Sequence, residues 1–158
     1  MAQILYRTAG SRDLAAIARL RAMEWGDQEY WERRVADYLS GEQNPRQAQT
    51  PRVVIVAETS NELIGFIAGH LTERFSCDGE LEWINVLPEY RGKGVSSNLL
   101  NHLWVWFHDN KALKICVDVE PENLVARKFY GKHGAIELNP HWMIWHNISQ
   151  RAVSEPAR

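Results

Sequence analysis

Arg91-Gly92-Lys93-Gly94, followed by Val95-Ser96-Ser97, is the stretch whose residue types and spacing most directly imply chemistry. It separates an apolar, strand-like run ending at Leu87 from a helix-like run beginning at Ser96. At such a junction the first N–H groups of the helix have no intrahelical partner, and the positive end of its dipole attracts an anion. Gly92 and Gly94 carry no side chain to hold a ligand away from those N–H groups. Arg91 and Lys93 add positive charge, and Ser96 and Ser97 offer hydroxyls. A diphosphate suits this loop. A glycine turn that only caps a helix would use the same residues, and one Gly-x-Gly does not separate the two readings. Two other phosphate loops fail on spacing. A Walker loop needs its lysine after the last glycine, whereas Lys93 precedes Gly94. A dinucleotide fingerprint needs a third glycine where Ser97 stands, directly after the first strand of repeated βαβ units.

The surrounding pattern implies the elements that would hold such a loop. Ile4–Arg7 reads as a short strand, and Ser11 as the cap of a helix over about 12–23. A second helix is expected over about 28–39, stopped by Ser40-Gly41, with a polar loop over 41–51. Arg52–Glu58 and Leu63–Thr72 read as strands around a Ser60-Asn61 turn, and Glu80–Leu87 as the next strand after Cys77-Asp78-Gly79. Their short links make them antiparallel neighbours. Helix Ser96–Asn110 then leads to strand Lys114–Val119, a crossover that makes this strand parallel to Glu80–Leu87. A helix over Asn123–His133 ends at Gly134, and two strands, Ala135–Leu138 and His141–Ile148, close the chain. The expected fold is α/β: a mixed sheet of about seven strands, largely antiparallel with one central parallel pair, and helices on both faces. One domain spans 1–149, and 150–158 reads as a flexible tail.

Composition narrows the function. The chain has 158 residues, 45% hydrophobic and 24% charged, enough for one sizeable core. Eighteen basic against 20 acidic residues give a formal charge of −2, which argues against a nucleic-acid partner. No apolar run is long enough for a membrane span, and Met1–Arg7 has no secretory pattern, so a cytoplasmic location is expected. Cys77 and Cys116 read as a reduced pair, and the histidine spacings suit no metal site; no metal is expected.

With these elements in place, Arg91-Gly92-Lys93-Gly94-Val95-Ser96 after Glu82-Trp83-Ile84-Asn85-Val86 resembles the acetyl-coenzyme A signature of the GNAT N-acetyltransferase superfamily, Arg/Gln-x-x-Gly-x-Gly/Ala. Ser96 departs from its last position. Asn123-Leu124-Val125-Ala126-Arg127-Lys128-Phe129-Tyr130, with Gly134 and Ala135, is similar to a second block of that family. Both blocks stand in the family's order, on the expected elements.

The resemblance implies an N-acetyltransferase passing an acetyl group from acetyl-CoA directly to an amine, of a small molecule or a peptide. Backbone groups of Ile84, Asn85 and Val86 would hold the pantetheine arm, an N–H near Val86 would meet charge on the thioester oxygen, and Asn123 would contact the coenzyme. Such a transfer needs an acid for the thiolate and a base for the amine. Tyr130 is expected as the acid. Glu82 is expected as the base, with Glu80, Asp118 and bulk water as alternatives. The acceptor is expected among about 25–49, the 72–79 turn and the closing strands, with Trp25, Trp31, Trp142 and Trp145 as candidate aromatic walls; His70 is either a wall of that pocket or a hydrogen-bonded core residue. A homodimer is an expectation by the same resemblance. The alternative is a catalytically inactive acyl-CoA sensor. O-acylation and longer acyl chains are left open.

Overall fold

Two long runs rich in Val and Ile become the longest strands of the sheet. In the computed structural model, which describes residues 3–41 and 48–152, they are β2 (Gln49–Thr59) and β3 (Glu62–Leu71). The turn between them is Ser60-Asn61, both at positive φ (49° and 66°), the backbone that a tight two-residue hairpin requires. Most of the loop expected over 41–51 lies outside the described residues, as do positions 153–158 of the expected tail; β2 starts earlier than the sequence pattern suggests, at Gln49.

The strand β1 (Leu5–Thr8) precedes β2 in sequence, and β4 (Gly79–Val86), β5 (Ile115–Asp118), β6 (Ile136–Asn139) and β7 (Trp142–Trp145) complete one seven-stranded sheet in the order β1-β2-β3-β4-β5-β7-β6. Every neighbouring pair is antiparallel except β4 and β5. The expected mixed sheet, with its single central parallel pair, is the one observed.

Helices cover both faces, which is why β2 is buried continuously from Val53 to Ala57 instead of alternating. Val54 and Val56 pack against α1 (Leu14–Ala22) and α2 (Gln28–Ser40), with Ile17, Trp31, Val35 and Tyr38. Val53, Ile55 and Ala57 pack on the other face against α3 (Val95–Asp109), through Leu99, Leu103, Trp104 and Phe107, and against Tyr130 of α4 (Leu124–Lys132). Cys77 and Cys116, both free and buried, form a small third cluster with Ile144.

Three details differ from the sequence reading. Ser11 begins a 3₁₀ turn, Ser11–Asp13, and Asp13 holds the N-cap position of α1 without a side-chain cap bond; its carboxylate instead accepts from Gly10 N–H at 2.8 Å. The start of the expected tail is a short helix, α5 (Ser149–Ala152), with the Arg151 side chain lying over Gly134. The last strand is shorter than expected because the chain turns after Trp145.

A β-bulge sits in β4. Ala68 pairs with Trp83 and Gly69 with Leu81, so Glu82 is the extra residue. Bulges re-aim side chains. Here Trp83, next to Glu82, turns toward the α1–α2 core, while Leu81 and Val86 face α3.

Gly65 keeps β3 close to the far half of β4. A Cβ there would meet Asn85 O at 2.9 Å, a backbone atom that cannot yield without moving β4. Gly65→Ala should therefore lower stability by about 1–3 kcal/mol, read by urea denaturation; unchanged stability would mean that β4 relaxes freely.

Candidate functional site

The parallel pairing of β4 and β5 covers Gly79–Leu81 against Ile115–Val117 and then ends, so the two strands part. Beyond that point β4 bonds to β3 alone. Leu87 N–H donates to Ile64 O at 2.8 Å, which orients its backbone toward β3. By strand alternation, the backbone groups of Ile84 and Val86 face the opposite, open edge. The Val86 carbonyl is reached there by Arg91 Nε at 3.1 Å.

A cleft of about 1030 Å³ opens along this edge. Ile84, Asn85, Val86, Arg91, Ser96, Asn123 and Tyr130 line it, as do Glu80, Glu82 and Asp118. Residues predicted from separate segments thus meet in one place. At its mouth, Gly92 and Gly94 have φ of 74° and 84°, and a Cβ on either would point into open space. Their glycine identity answers to backbone conformation and free access, since no neighbour crowds them. Gly94 precedes the first turn of α3, no side chain caps that turn, and the first helical bond is Asn98 N–H to Gly94 O. The N–H groups of Val95, Ser96 and Ser97 therefore have no intrahelical partner.

The loop side chains divide more sharply than their sequence suggests. Val95 is buried in the α3 core, so only its backbone is available. Ser97 Oγ is bonded to His133 Nε2 at 3.1 Å; it ties α3 to the end of α4, and the expected free hydroxyl there is a correction to the sequence reading. Arg91 and Lys93 are exposed, with Lys93 over the Tyr90 ring. Asn123 caps α4, its side-chain oxygen accepting from Ala126 N–H at 3.1 Å. Tyr130 is buried against Trp145 and Phe129, and burial pushes its hydroxyl above the ordinary tyrosine range.

Acidic groups gather on the α1–α2 side. Glu82 is pushed up to about 7, first by burial and then by Glu80, with Arg34 and Arg21 acting in the opposite direction. Burial also raises Asp118, followed by Glu120 and Glu80. Arg34 Nη2 stands 3.9 Å from Glu82. Arg74 Nε donates to Glu80 at 3.1 Å. Asn85 was expected to act through its backbone, but strand alternation turns that backbone toward β3, opposite Phe66; its side chain accepts from Arg21 at 3.0 Å and donates to Glu24 at 2.8 Å. His70 is a core residue, fully buried and bonded to the Tyr38 hydroxyl at 2.8 Å. His70, Glu80 and Glu82 have the spacing of a cation site, but the guanidinium groups of Arg74 and Arg34 already supply the positive charge beside those carboxylates.

Of the tryptophans considered for the acceptor side, Trp25 and Trp142 line the cleft with Trp83, while Trp31 and Trp145 are buried in the two cores. Sequence reasoning missed Arg21, Glu24, Arg34 and Arg74. Helical spacing shows which face an arginine occupies, yet nothing in the chain pairs Arg21 with Asn85 across 64 positions.

Residues 15–135 match the family model described as Acetyltransferase (GNAT) family. The chain is similar to the uncharacterised N-acetyltransferase YobR of Bacillus subtilis, 36% identical over 63 residues, 40% of this chain and 26% of that protein. It is also similar to an uncharacterised N-acetyltransferase of Mycobacterium bovis, 29% identical over 101 residues, 64% of this chain and 58% of that one. The matches therefore span less than two-thirds of these relatives' own lengths. In fold it resembles the PaiA N-acetyltransferase of Thermoplasma acidophilum, solved in complex with coenzyme A: TM-score 0.69, 20% identity, 91% of this chain and 99% of that chain. No described helix is long and apolar enough to cross a membrane.

Glu82 takes up its proton near pH 7 when folded and near the ordinary value of about 4.3 when unfolded. Between these values the folded state binds more protons, so this group makes stability fall as pH rises through that window. Glu82→Gln removes the slope. Relative to the parent, its stability in urea should improve by about 2 kcal/mol between about pH 5 and pH 8; equal slopes would return Glu82 to the ordinary carboxylate range.

Proposed function

The chain belongs to the acetyltransferase (GNAT) family, and from that premise we propose that it transfers an acetyl group from acetyl-CoA to an amine. The observation that carries this reading is the open edge of β4, lying beside a helix start whose N–H groups are bare. That edge offers peptide groups to a pantetheine arm, and the helix start offers donors to a diphosphate.

In this reading the diphosphate sits on the backbone of 91–97, with Arg91 and Lys93 adding charge. The arm runs along Ile84–Val86 and past Asn123, whose side-chain oxygen is taken by the α4 cap and whose NH2 group is the donor left to it. The amine nitrogen attacks the thioester carbonyl carbon. Charge then building on the carbonyl oxygen meets the Val86 N–H, which faces the cleft and has no strand partner. The carbon–sulfur bond breaks, and the departing thiolate takes the proton of the Tyr130 hydroxyl, which burial keeps protonated. The proton of the amine passes to Glu82 through water; a base near pH 7 is well matched to that task. Asp118, also raised, is the second candidate. A sensor that only bound the coenzyme would need neither a base tuned this way nor a phenol in the cleft, so these groups favour an enzyme. The acceptor enters from the side of Trp25, Arg34, Arg74 and Trp142.

Calorimetry should show coenzyme A binding to the parent protein. Gly94→Val, which puts a branched side chain where φ is 84° and access is open, should weaken that binding at least about tenfold; equal affinity would remove the loop from the site. Tyr130→Phe should lower turnover by about 100-fold with coenzyme affinity nearly unchanged, measured by thiol release over a panel of amines. Undiminished turnover would exclude Tyr130 as the acid.

A further inference from the structure

Behind Glu82 lies a buried polar chain that the reaction set out above does not use. Tyr38 of α2 and His70 of β3 are fully buried, and Glu80 of β4 is nearly so. Burial pushes the Tyr38 hydroxyl well above the ordinary tyrosine range, so it stays protonated, and it is hydrogen-bonded to His70 Nδ1 at 2.8 Å. With Tyr38 as the donor, a neutral imidazole carries its ring proton on Nε2. Nε2 lies 3.5 Å from Glu80 Oε1 and has no hydrogen-bond partner among the described residues. From the rim of the cleft, Arg74 Nε donates to that same Oε1 at 3.1 Å. His70, Glu80 and Glu82 each bring one atom within 4.8 Å of the others.

Such an arrangement is expensive to bury. An apolar set of similar volume is often neutral or stabilising in place of buried charge, and an unpaired buried nitrogen calls for a reason beyond packing. What the chain accomplishes is to fix a second carboxylate next to Glu82, two residues away on the same strand.

We propose that Glu80 is a positioning residue for the transfer: bonded to Arg74 and packed beside the Tyr38–His70 pair, it keeps a second carboxylate next to Glu82 and makes Glu82 the stronger base. The proposal rests on the reading of Glu82 as the base. The charged groups facing Glu82 are Glu80 on its own strand, Arg34 from α2, Arg21 from α1 and Asp118 from β5, with His70 of β3 beside them. Burial and the two acids favour the protonated form of Glu82, and the two arginines oppose it. Arg74 is bonded to Glu80 from the rim of the cleft.

The test is a carbon-13 NMR titration of protein labelled at its glutamate carboxyls, with the Glu82 signal assigned by its loss in Glu82→Gln. Glu80→Gln should move the Glu82 midpoint down by about one pH unit, a tenfold fall in proton affinity. Should Glu80→Gln fail to fold, Glu80→Met, which fills a similar volume without the carboxylate, takes its place. A fall of the Glu82 midpoint supports the proposal, and a midpoint unmoved or raised in the variant that folds overturns it. The titration uses neither coenzyme nor acceptor. A lack of acetyl transfer would therefore sink the proposed function and leave this result standing, and an unmoved midpoint would do the reverse.

Discussion

A strand edge inside a folded chain must find partners for its peptide groups, and β4 is denied them on one side beyond Leu81. Strand β5 follows it for three residue pairs and then turns away. Ile84 and Val86 are left with backbone N–H and C=O groups facing a cleft, and Arg91 satisfies only one of them. Unpaired backbone groups in such a place are costly unless water or a ligand meets them. A ligand carrying amides of its own can complete the interrupted ladder, as another strand would. The rest of the molecule reads as support for that gap. Gly65 lets β3 press against β4 from behind, and α3, packed through Leu99, Leu103 and Phe107, brings its bare first turn to the mouth.

Electrostatics divide the cleft into two ends. Around the loop of 91–97, helix dipole, open amides and basic side chains all favour an anion. On the α1–α2 side, acids and arginines nearly balance. Arg74 is bonded to Glu80, Arg34 is loosely paired with Glu82, and Arg21 and Glu24 share Asn85. The arginines also lie over indole rings, Arg21 and Arg34 over Trp83 and Arg74 over Trp142. That stacking holds their stems beside the carboxylates of Glu82 and Asp118, which burial raises first and neighbouring acids raise further.

The glycine loop, the Asn123–Tyr130 block and the crossover between the parallel strands were legible because each is local. A left-handed turn needs glycine within a few positions, a helical face repeats every three or four residues, and a parallel pair needs a connecting helix. Val95 and Ser97 show the limit of that reasoning. Both stand in the anion loop by sequence, yet one belongs to the core and the other is bonded to His133. The placement of Arg151 was not legible for the same reason: its side chain lies over Gly134, far from its own neighbours in sequence.

By itself, then, the sequence determined the sheet with its parallel centre, the two motifs and the class of chemistry they suit, because these follow from local backbone preference and periodicity. Only the tertiary structure decided which peptide groups face the cleft, which carboxylate is held near pH 7, and that Tyr38, His70 and Glu80 form one buried chain. Those properties depend on a bulge at Glu82, on where β5 departs, and on distances between side chains from different elements. Burial and Coulomb interactions act through space, and residue order carries no direct record of them.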